Sequence, residues 1–257
     1  MAERRFETLL QRWAALAPHA VWRLPDGEGP FPAVLMFHGC GGRRAFLDRY
    51  MDVIVGTGVA AVSIDSFAPR GWSRTRALAT VCSGLELPGH RRAGDVLASL
   101  WGVCRTARID PARLALAGWS HGGWAIMDLM TMALSRPGEA GIADPDASLL
   151  DGVRVLALAY PYCGRGALSR LRPWRRTPDV FAFVGEADRV SRPGACGSVF
   201  SRVQHVGARV ETWIIPGATH AFDEDAGGLS PFRFDASRAR EAEERMARFL
   251  ADRLTSG

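Results

Sequence analysis

The stretch LALAGWSHGGWAI, from Leu114 to Ile126, decides the fold. It opens as a continuous run of small and apolar residues, which is typical of a strand buried on both faces of a parallel sheet. It continues with helical spacing, and at the junction Ser120 lies between Gly118 and Gly122 in a G-x-S-x-G pattern. A tight strand-to-helix turn crowds the backbone, so small residues are needed on both sides of the serine. The pattern predicts a nucleophile elbow, and the alternative is a glycine-rich turn with only a structural role.

Strand-like and helix-like patterns alternate along the rest of the chain. Strands are predicted at residues 20–25 (a first edge strand), 32–39, 59–67, 113–118, 153–161, 179–185 and 209–217. Helices are predicted at residues 46–58, 91–107, 121–135 and 235–254, the last with Asp235 as its N-cap. This alternation predicts an α/β protein with a mostly parallel central sheet of about seven strands and helices on both faces. We expect one domain over residues 1–257, with an irregular segment at about 65–89 that covers the pocket.

The composition is that of an ordinary globular enzyme-sized domain, with 47% apolar and 23% charged residues among 257. All 32 basic residues are arginine, and the absence of lysine excludes a P-loop, a Schiff base and a Ser-Lys dyad. The arginines are scattered and no apolar run is as long as a membrane span, so we expect neither a nucleic-acid nor a membrane partner. We expect a cytoplasmic protein, or a secreted or periplasmic one if a leader has been removed. Whether the chain forms a homodimer is left open.

Candidates for the base and the acid follow two later strands. A neutral serine needs a base, and the base needs a group that orients it and stabilises the imidazolium. Asp188 lies in GEADRV after the strand at 179–185, and Glu186 in the same loop is the rival carboxylate. His220 lies in PGATHAFD after the last strand. The order serine, acid, histidine is that of the α/β-hydrolases, so we expect Ser120, Asp188 and His220 as the catalytic residues of an α/β-hydrolase fold.

Glycines after an early strand predict an oxyanion hole. The sequence FHGCGG spans residues 37–42, and its glycines let the backbone turn its amides toward a tetrahedral oxyanion. We expect the donors to be the backbone N–H of His121 and that of Cys40 or Gly41. We expect His38 to order this loop rather than to act as a base. No cluster of His, Asp and Glu has metal-ligand spacing, so we expect no metal and no cofactor.

Aromatic residues next to these strand ends predict the walls of a substrate pocket. We expect Trp119, Tyr160 and Tyr162 to line it. Arg70, in the segment that covers the pocket, is a candidate to bind a substrate carboxylate. Its alternative role is a salt bridge to a loop acid such as Asp65.

Six motifs follow one another along the chain: FHGCGG, DSFAPRGW, GWSHGG, YPYCG, GEADRVSRPGAC and PGATHAFD. Together they resemble the dienelactone hydrolase family of the α/β-hydrolase superfamily, from about Pro32 to the terminal helix. The resemblance implies a cofactor-free hydrolase of esters or lactones, with nucleophile, Asp and His at the positions identified above. The founding members resemble this chain but use a cysteine at the elbow, where it has Ser120. A general serine esterase is therefore expected, rather than a hydrolase of dienelactone itself.

The resemblance also bears on the five cysteines. Members with a serine at the elbow are similar in their cysteines, which implies that Cys40 lies near Cys82, and Cys163 near Cys196, around the pocket. In an oxidising compartment these pairs form two disulfides and leave Cys104 free. The alternative is that all five are small buried thiols in a reduced protein.

These observations predict a serine hydrolase that cleaves carboxylic ester or lactone bonds of small molecules through an acyl-enzyme. A serine peptidase or aminoacyl hydrolase of the prolyl-oligopeptidase type shares the order of the triad. Such enzymes usually carry a large extra domain, for which 257 residues leave no room. A non-catalytic binding protein with the same fold is the second alternative, and the presence of all three triad residues disfavours it. The acyl and alcohol specificity is not predicted.

Overall fold

A computed structural model of the chain describes residues 6–82, 84–225 and 232–255. The strands are β1 Ala20–Arg23, β2 Phe31–Phe37, β3 Ala60–Ile64, β4 Ile109–Trp119, β5 Val153–Ala159, β6 Asp179–Gly185 and β7 Val210–Ile215. The helices are α1 Leu9–Leu16, α2 Phe46–Val55, α3 Arg74–Thr80, α4 Gly89–Val103, α5 His121–Met130, α6 Pro193–His205 and α7 Ala236–Leu254. None of the helices in these three ranges is long and apolar enough to cross a membrane.

The seven strands form one sheet in the order β1-β3-β2-β4-β5-β6-β7. The edge strand β1 pairs with β3 in the antiparallel direction, and all other neighbours are parallel. This confirms the predicted mostly parallel sheet of about seven strands. Since parallel neighbours all end at the same edge, the loops after β2, β4, β5, β6 and β7 meet on one side of the molecule.

Alternation along the central strands gives the sheet two apolar faces. In β4, Leu114 and Leu116 are buried in the core beneath α4 and α5. Ala115 and Ala117, which alternate with these leucines, are buried on the opposite face, with α2 and α7. Both faces are covered, which is why β4 reads as a continuous apolar run.

The start of one helix and the end of another can be compared with the prediction. Asp235 is the N-cap of α7, as predicted, because its carboxylate accepts hydrogen bonds from the backbone N–H groups of Ser237 and Arg238. The prediction that the helix after the elbow extends to residue 135 is wrong. That helix, α5, ends at Met130, and the following chain reaches a left-handed conformation at Leu134, with φ of 56°.

The segment predicted as irregular contains a helix. This helix, α3, begins after Ser73, whose hydroxyl accepts a hydrogen bond from the N–H of Arg76. The rest of the segment is a short 3₁₀ turn at Ala68–Arg70 and loops, and residue 83 lies outside the described part of the chain.

Candidate active site

The junction between β4 and α5 is a sharp turn centred on Ser120. Its backbone has φ of 49° and ψ of −108°, a strained conformation for a residue with a side chain. A Cβ atom added to Gly122 would lie 2.0 Å from the carbonyl oxygen of Phe37, and one added to Gly118 would lie 2.5 Å from the nitrogen of Gly123. Backbone therefore occupies the space that a side chain would need at both positions. This is the crowding that the G-x-S-x-G spacing predicts.

The structure brings the three predicted catalytic side chains into one hydrogen-bonded chain. His220 Nε2 lies 2.9 Å from Ser120 Oγ, and His220 Nδ1 lies 2.7 Å from Asp188 Oδ2. With the ring proton on Nδ1, this N–H donates a hydrogen bond to the carboxylate, and Nε2 accepts one from the serine hydroxyl. All three side chains are buried. The three residues follow β4, β6 and β7, so the parallel sheet gathers them from distant parts of the sequence.

The two carboxylates of the loop after β6 have different positions. Asp188 uses its second oxygen, Oδ1, to accept the backbone N–H groups of Val190 and Ser191, each at 2.7 Å. These bonds fix the carboxylate while Oδ2 faces the imidazole. Glu186 instead is exposed, and its Oε2 accepts the N–H of Gly217 at 2.9 Å. The structure therefore places Asp188, and not Glu186, against His220.

The loop after β2 lies directly against the elbow. A Cβ added to Gly39 would be 3.6 Å from Ser120 Cβ. Cys40, Gly41 and His121, which are predicted to supply the oxyanion donors, line the same cavity as Ser120.

His38 connects two loops, in accord with the role expected for it. Its Nδ1 donates to the carbonyl of Gly39 at 2.7 Å, and its Nε2 accepts the backbone N–H of Ser66 at 3.1 Å. Complete burial and the neighbouring cation Arg92 lower the pKa of His38, which keeps its imidazole neutral.

Ser120 and His220 open into a cavity of about 930 Å³. Most of its wall is apolar or aromatic, with the side chains of Phe46, Leu78, Val81, Pro88, Trp119, Trp124, Tyr160, Tyr162 and Phe232. Charged side chains contribute at Arg74, Arg165 and Glu224, and Arg74 lies 3.6 Å from Glu224. The segment predicted to cover the pocket does contribute to this wall, through Leu78, Val81 and Pro88 among others.

A buried carboxylate that the sequence did not single out lies behind the site. Asp223 is completely buried and accepts hydrogen bonds from the hydroxyl groups of Tyr50 and Tyr160, at 2.7 and 2.6 Å. The indole N–H of Trp119 also approaches it, at 3.3 Å. The two predicted wall residues, Trp119 and Tyr160, are therefore fixed from behind. Because Asp223 is three residues beyond His220, the same contacts anchor the loop that carries the histidine.

No model of a known protein family and no curated protein matches the chain. Solved structures do. A dienelactone hydrolase-like promiscuous phosphotriesterase from metagenomic libraries is 13% identical with a TM-score of 0.70, over 91% of this chain and 92% of its own. Esterase 2 of Thermogutta terrifontis, phosphorylated by paraoxon, is 18% identical with a TM-score of 0.62, over 91% and 88%. Est1E of Butyrivibrio proteoclasticus, with ferulic acid bound, is 13% identical with a TM-score of 0.61, over 92% and 95%.

These similarities extend over most of both chains in each case. The chain has the α/β-hydrolase fold. This confirms the predicted fold class, and the names of the similar structures accord with the resemblance seen in the sequence. Within the α/β-hydrolase fold, Ser120, Asp188 and His220 occupy the loops after β4, β6 and β7 that the order of residues predicts.

Arg70, the candidate to bind a substrate carboxylate, does not line the cavity into which Ser120 opens. Its guanidinium instead forms a forked salt bridge to the completely buried Asp95, at 2.8 and 2.9 Å, and lines a different cavity. Arg70 therefore forms a salt bridge, as the alternative has it, but to Asp95; Asp65 accepts the backbone N–H groups of Phe67 and Ala68. A completely buried carboxylate needs a paired cation far more than a half-buried loop acid does. Nothing in the sequence marks Asp95 as buried.

The cysteines agree with the implied pairs in position, but only one pair is bonded. Cys40 and Cys82 form a disulfide, which joins the loop after β2 to the segment that covers the cavity. Cys163 and Cys196 are free buried thiols, and both donate to the carbonyl of Pro161, at 3.4 and 3.3 Å. The second implied disulfide is not formed in this structure, in which the two thiols share a carbonyl acceptor. Cys104 is free, as expected.

Proposed function

We propose that this chain is a serine hydrolase that cleaves carboxylic ester or lactone bonds of small molecules. The observation that carries the proposal is the continuous hydrogen-bonded chain from Ser120 through His220 to Asp188, which opens into a largely apolar cavity. A serine, a base within 2.9 Å and an orienting carboxylate are the parts that acyl transfer requires. The similar structures named as esterases support the same reaction class.

The proposed reaction has two halves. As Ser120 Oγ attacks the carbonyl carbon, His220 Nε2 takes the hydroxyl proton, and Asp188 stabilises the imidazolium. The tetrahedral oxyanion is bound by backbone N–H groups, for which His121 and either Cys40 or Gly41 are the candidates. Collapse breaks the bond to the alcohol oxygen, which receives the proton from His220. Water then attacks the acyl-enzyme by the same route, releases the acid and restores Ser120.

The cavity favours an uncharged, apolar group on the substrate. Aromatic side chains at Trp124, Tyr162 and Phe232 offer flat surfaces for an aromatic or short aliphatic acyl chain. Binding of ferulic acid by the structurally similar Est1E supports an aromatic ligand in a cavity of this fold. We therefore propose small esters with aromatic or short aliphatic acyl groups as the first substrates to test.

The substitution Ser120→Ala tests the proposal. We expect it to lower kcat on p-nitrophenyl butyrate by several orders of magnitude, on the order of 10⁴-fold or more, because it removes the hydroxyl that His220 activates. The matched control is Ser198→Ala, an exposed serine in α6. A fluorophosphonate probe should label the wild type and Ser198→Ala, but not Ser120→Ala. Equal turnover in all three proteins would contradict the proposal, and preferential cleavage of aminoacyl anilides would point to a peptidase instead.

A further inference from the structure

Arg92, on the first turn of α4, is a completely buried cation. One of its guanidinium nitrogens donates to the carbonyl oxygen of His38 at 2.7 Å and to Nδ1 of His121 at 2.8 Å. Its Nε donates to the hydroxyl of Ser66 at 3.1 Å. Among the residues that the structure describes, none of these partners is a carboxylate. The positive charge is thus held by neutral acceptors.

The nearest carboxylate along the same helix is engaged elsewhere. Asp95 forms its salt bridges with Arg12, at 2.7 Å, and with Arg70. Burial lowers the pKa of Arg92 only to about 10, so its guanidinium stays protonated at neutral pH. Asp95 and Asp65 stabilise this cation through their charges, but neither carboxylate bonds to it. Burying a cation without a bonded anion is costly, and an apolar side chain would fill the core without that cost. Packing alone therefore does not explain why an arginine, Arg92, is buried at this position.

The partners of Arg92 belong to the two segments that contain the candidate oxyanion donors. His38 directly precedes Gly39, Cys40 and Gly41, the loop that supplies one group of candidate oxyanion donors. His121 directly follows Ser120, and its backbone N–H is the other candidate donor. A single guanidinium therefore bridges the two separate backbone segments whose N–H groups must converge on one oxygen atom.

The ring of His121 is held on its other side as well. Its Nε2 donates to the carbonyl of Leu87 at 2.9 Å, so its Nδ1 is the acceptor for Arg92. Burial and the neighbouring Arg92 lower the pKa of His121 well below its ordinary value, which keeps the ring in this neutral form. The imidazole is thus a fixed link between Arg92 and the backbone at the start of α5.

We propose that Arg92 is a positioning residue for the oxyanion hole, which holds the loop after β2 and the start of α5 at the separation that lets both donate to one oxyanion. The inference rests on the proposed serine-hydrolase function. Oxyanion donors work only when they are aimed at the place where the charge develops, so a change in their separation acts on the transition state more than on the bound ester. The buried positive charge acts in the same direction, because its field favours a negative charge nearby in a medium of low dielectric constant.

The test compares Arg92→Met and Arg92→Lys with Arg12→Gln as a matched control. Arg12 is also largely buried, but unlike Arg92 it forms a salt bridge to a buried carboxylate, Asp95, and none of its partners belongs to the oxyanion loops. Rates on p-nitrophenyl butyrate are divided by the concentration of sites that a fluorophosphonate titrates to completion, so that misfolded protein is not counted. We expect kcat to fall by roughly 10- to 100-fold in Arg92→Met with KM changed by less than about 3-fold, below the 10²- to 10³-fold that loss of a donor itself costs. We expect a smaller fall in Arg92→Lys, which keeps the charge but lacks the fork.

A thionoester of the same acyl group provides a readout that a purely structural role would not change. Sulfur accepts hydrogen bonds weakly, so well-placed oxyanion donors make the enzyme prefer the oxoester. We expect the ratio of oxoester to thionoester turnover to fall by about as much as kcat in the two Arg92 variants and to stay at the wild-type value in Arg12→Gln. An unchanged ratio per titrated site in both variants overturns the inference. If the wild type itself neither hydrolyses the ester nor reacts with the fluorophosphonate, the proposed function fails instead.

Discussion

Two carboxylates two residues apart, in the loop after β6, offer a comparison at the scale of single residues. Asp188 is 2.7 Å from the imidazole and is held in place by two backbone N–H groups, whereas Glu186 accepts the N–H of Gly217. We expect Asp188→Asn to lower kcat on the order of 10⁴-fold, because an amide favours the wrong tautomer of His220. We expect Glu186→Gln to change kcat by less than about 3-fold, since the amide oxygen can still accept from Gly217.

Steady-state kinetics with p-nitrophenyl butyrate checks both substitutions, and circular dichroism spectra confirm that each variant is folded. Comparable losses in the two variants would mean that the loop as a whole, and not the contact to His220, sets the rate. A large loss in Glu186→Gln alone would reverse the assignment of the acid.

At the scale of elements, the contact between α5 and β2 sets what the elbow tolerates. Helix propensity alone favours alanine over glycine by about 1 kcal/mol in a helix. At Gly122 in α5 a Cβ would meet the carbonyl oxygen of Phe37 at 2.0 Å, whereas at Gly197 in α6 it would meet nothing within 4 Å. We therefore expect Gly122→Ala to lower the free energy of unfolding by about 3 kcal/mol. Gly197→Ala should raise it by about 0.5–1 kcal/mol.

Urea denaturation of the two variants and the wild type measures both effects. The two substitutions are chemically identical and both lie in helices, so opposite signs isolate the backbone contact at the elbow. If Gly122→Ala were as stable as the wild type, the close approach of α5 to β2 could not be what requires glycine there.

Across the whole molecule, the parts that the sequence predicts are those encoded in short patterns. Apolar runs predict the central parallel strands because both faces of these strands are covered. G-x-S-x-G predicts the elbow because backbone crowds both glycines. The order of Ser120, Asp188 and His220 was informative because a parallel sheet brings the ends of its strands together. The catalytic roles of these three residues stay a prediction until the substitutions are made.

What the sequence could not predict is the choice of partners between distant segments. Arg70 and Asp95 are 25 residues apart, and nothing in their flanking residues marks that pairing. The same holds for Asp223, whose hydrogen-bond donors come from three separate elements. Arg92 looks like one of many scattered arginines until its complete burial is seen. Such contacts depend on packing in three dimensions, which no short pattern encodes.

The free energy of unfolding of the whole molecule should depend on pH through one buried acid. Asp128 in α5 is completely buried, and burial raises its pKa to about 7 although its carboxylate accepts hydrogen bonds from the indole of Trp124 and the backbone N–H of Leu168. In the unfolded chain an aspartate titrates near about 3.9. Between about pH 4 and about pH 7 the unfolded chain has therefore lost this proton while the native protein keeps it. The native state binds more protons, so this group lowers the free energy of unfolding as the pH rises.

Asp128→Asn removes that titration, because an amide does not ionise. The altered hydrogen bonds change the free energy of unfolding of the variant by an amount that does not depend on pH. The diagnostic quantity is therefore the difference in unfolding free energy, variant minus wild type, as a function of pH. We expect this difference to rise by about 1.4 kcal/mol for each pH unit between about pH 4.5 and about pH 6.5, and to level off above about pH 7. Urea denaturation at a series of pH values measures it. A difference that stays flat over this range would mean that Asp128 is already ionised in the native protein, with its three N–H donors outweighing the cost of burial.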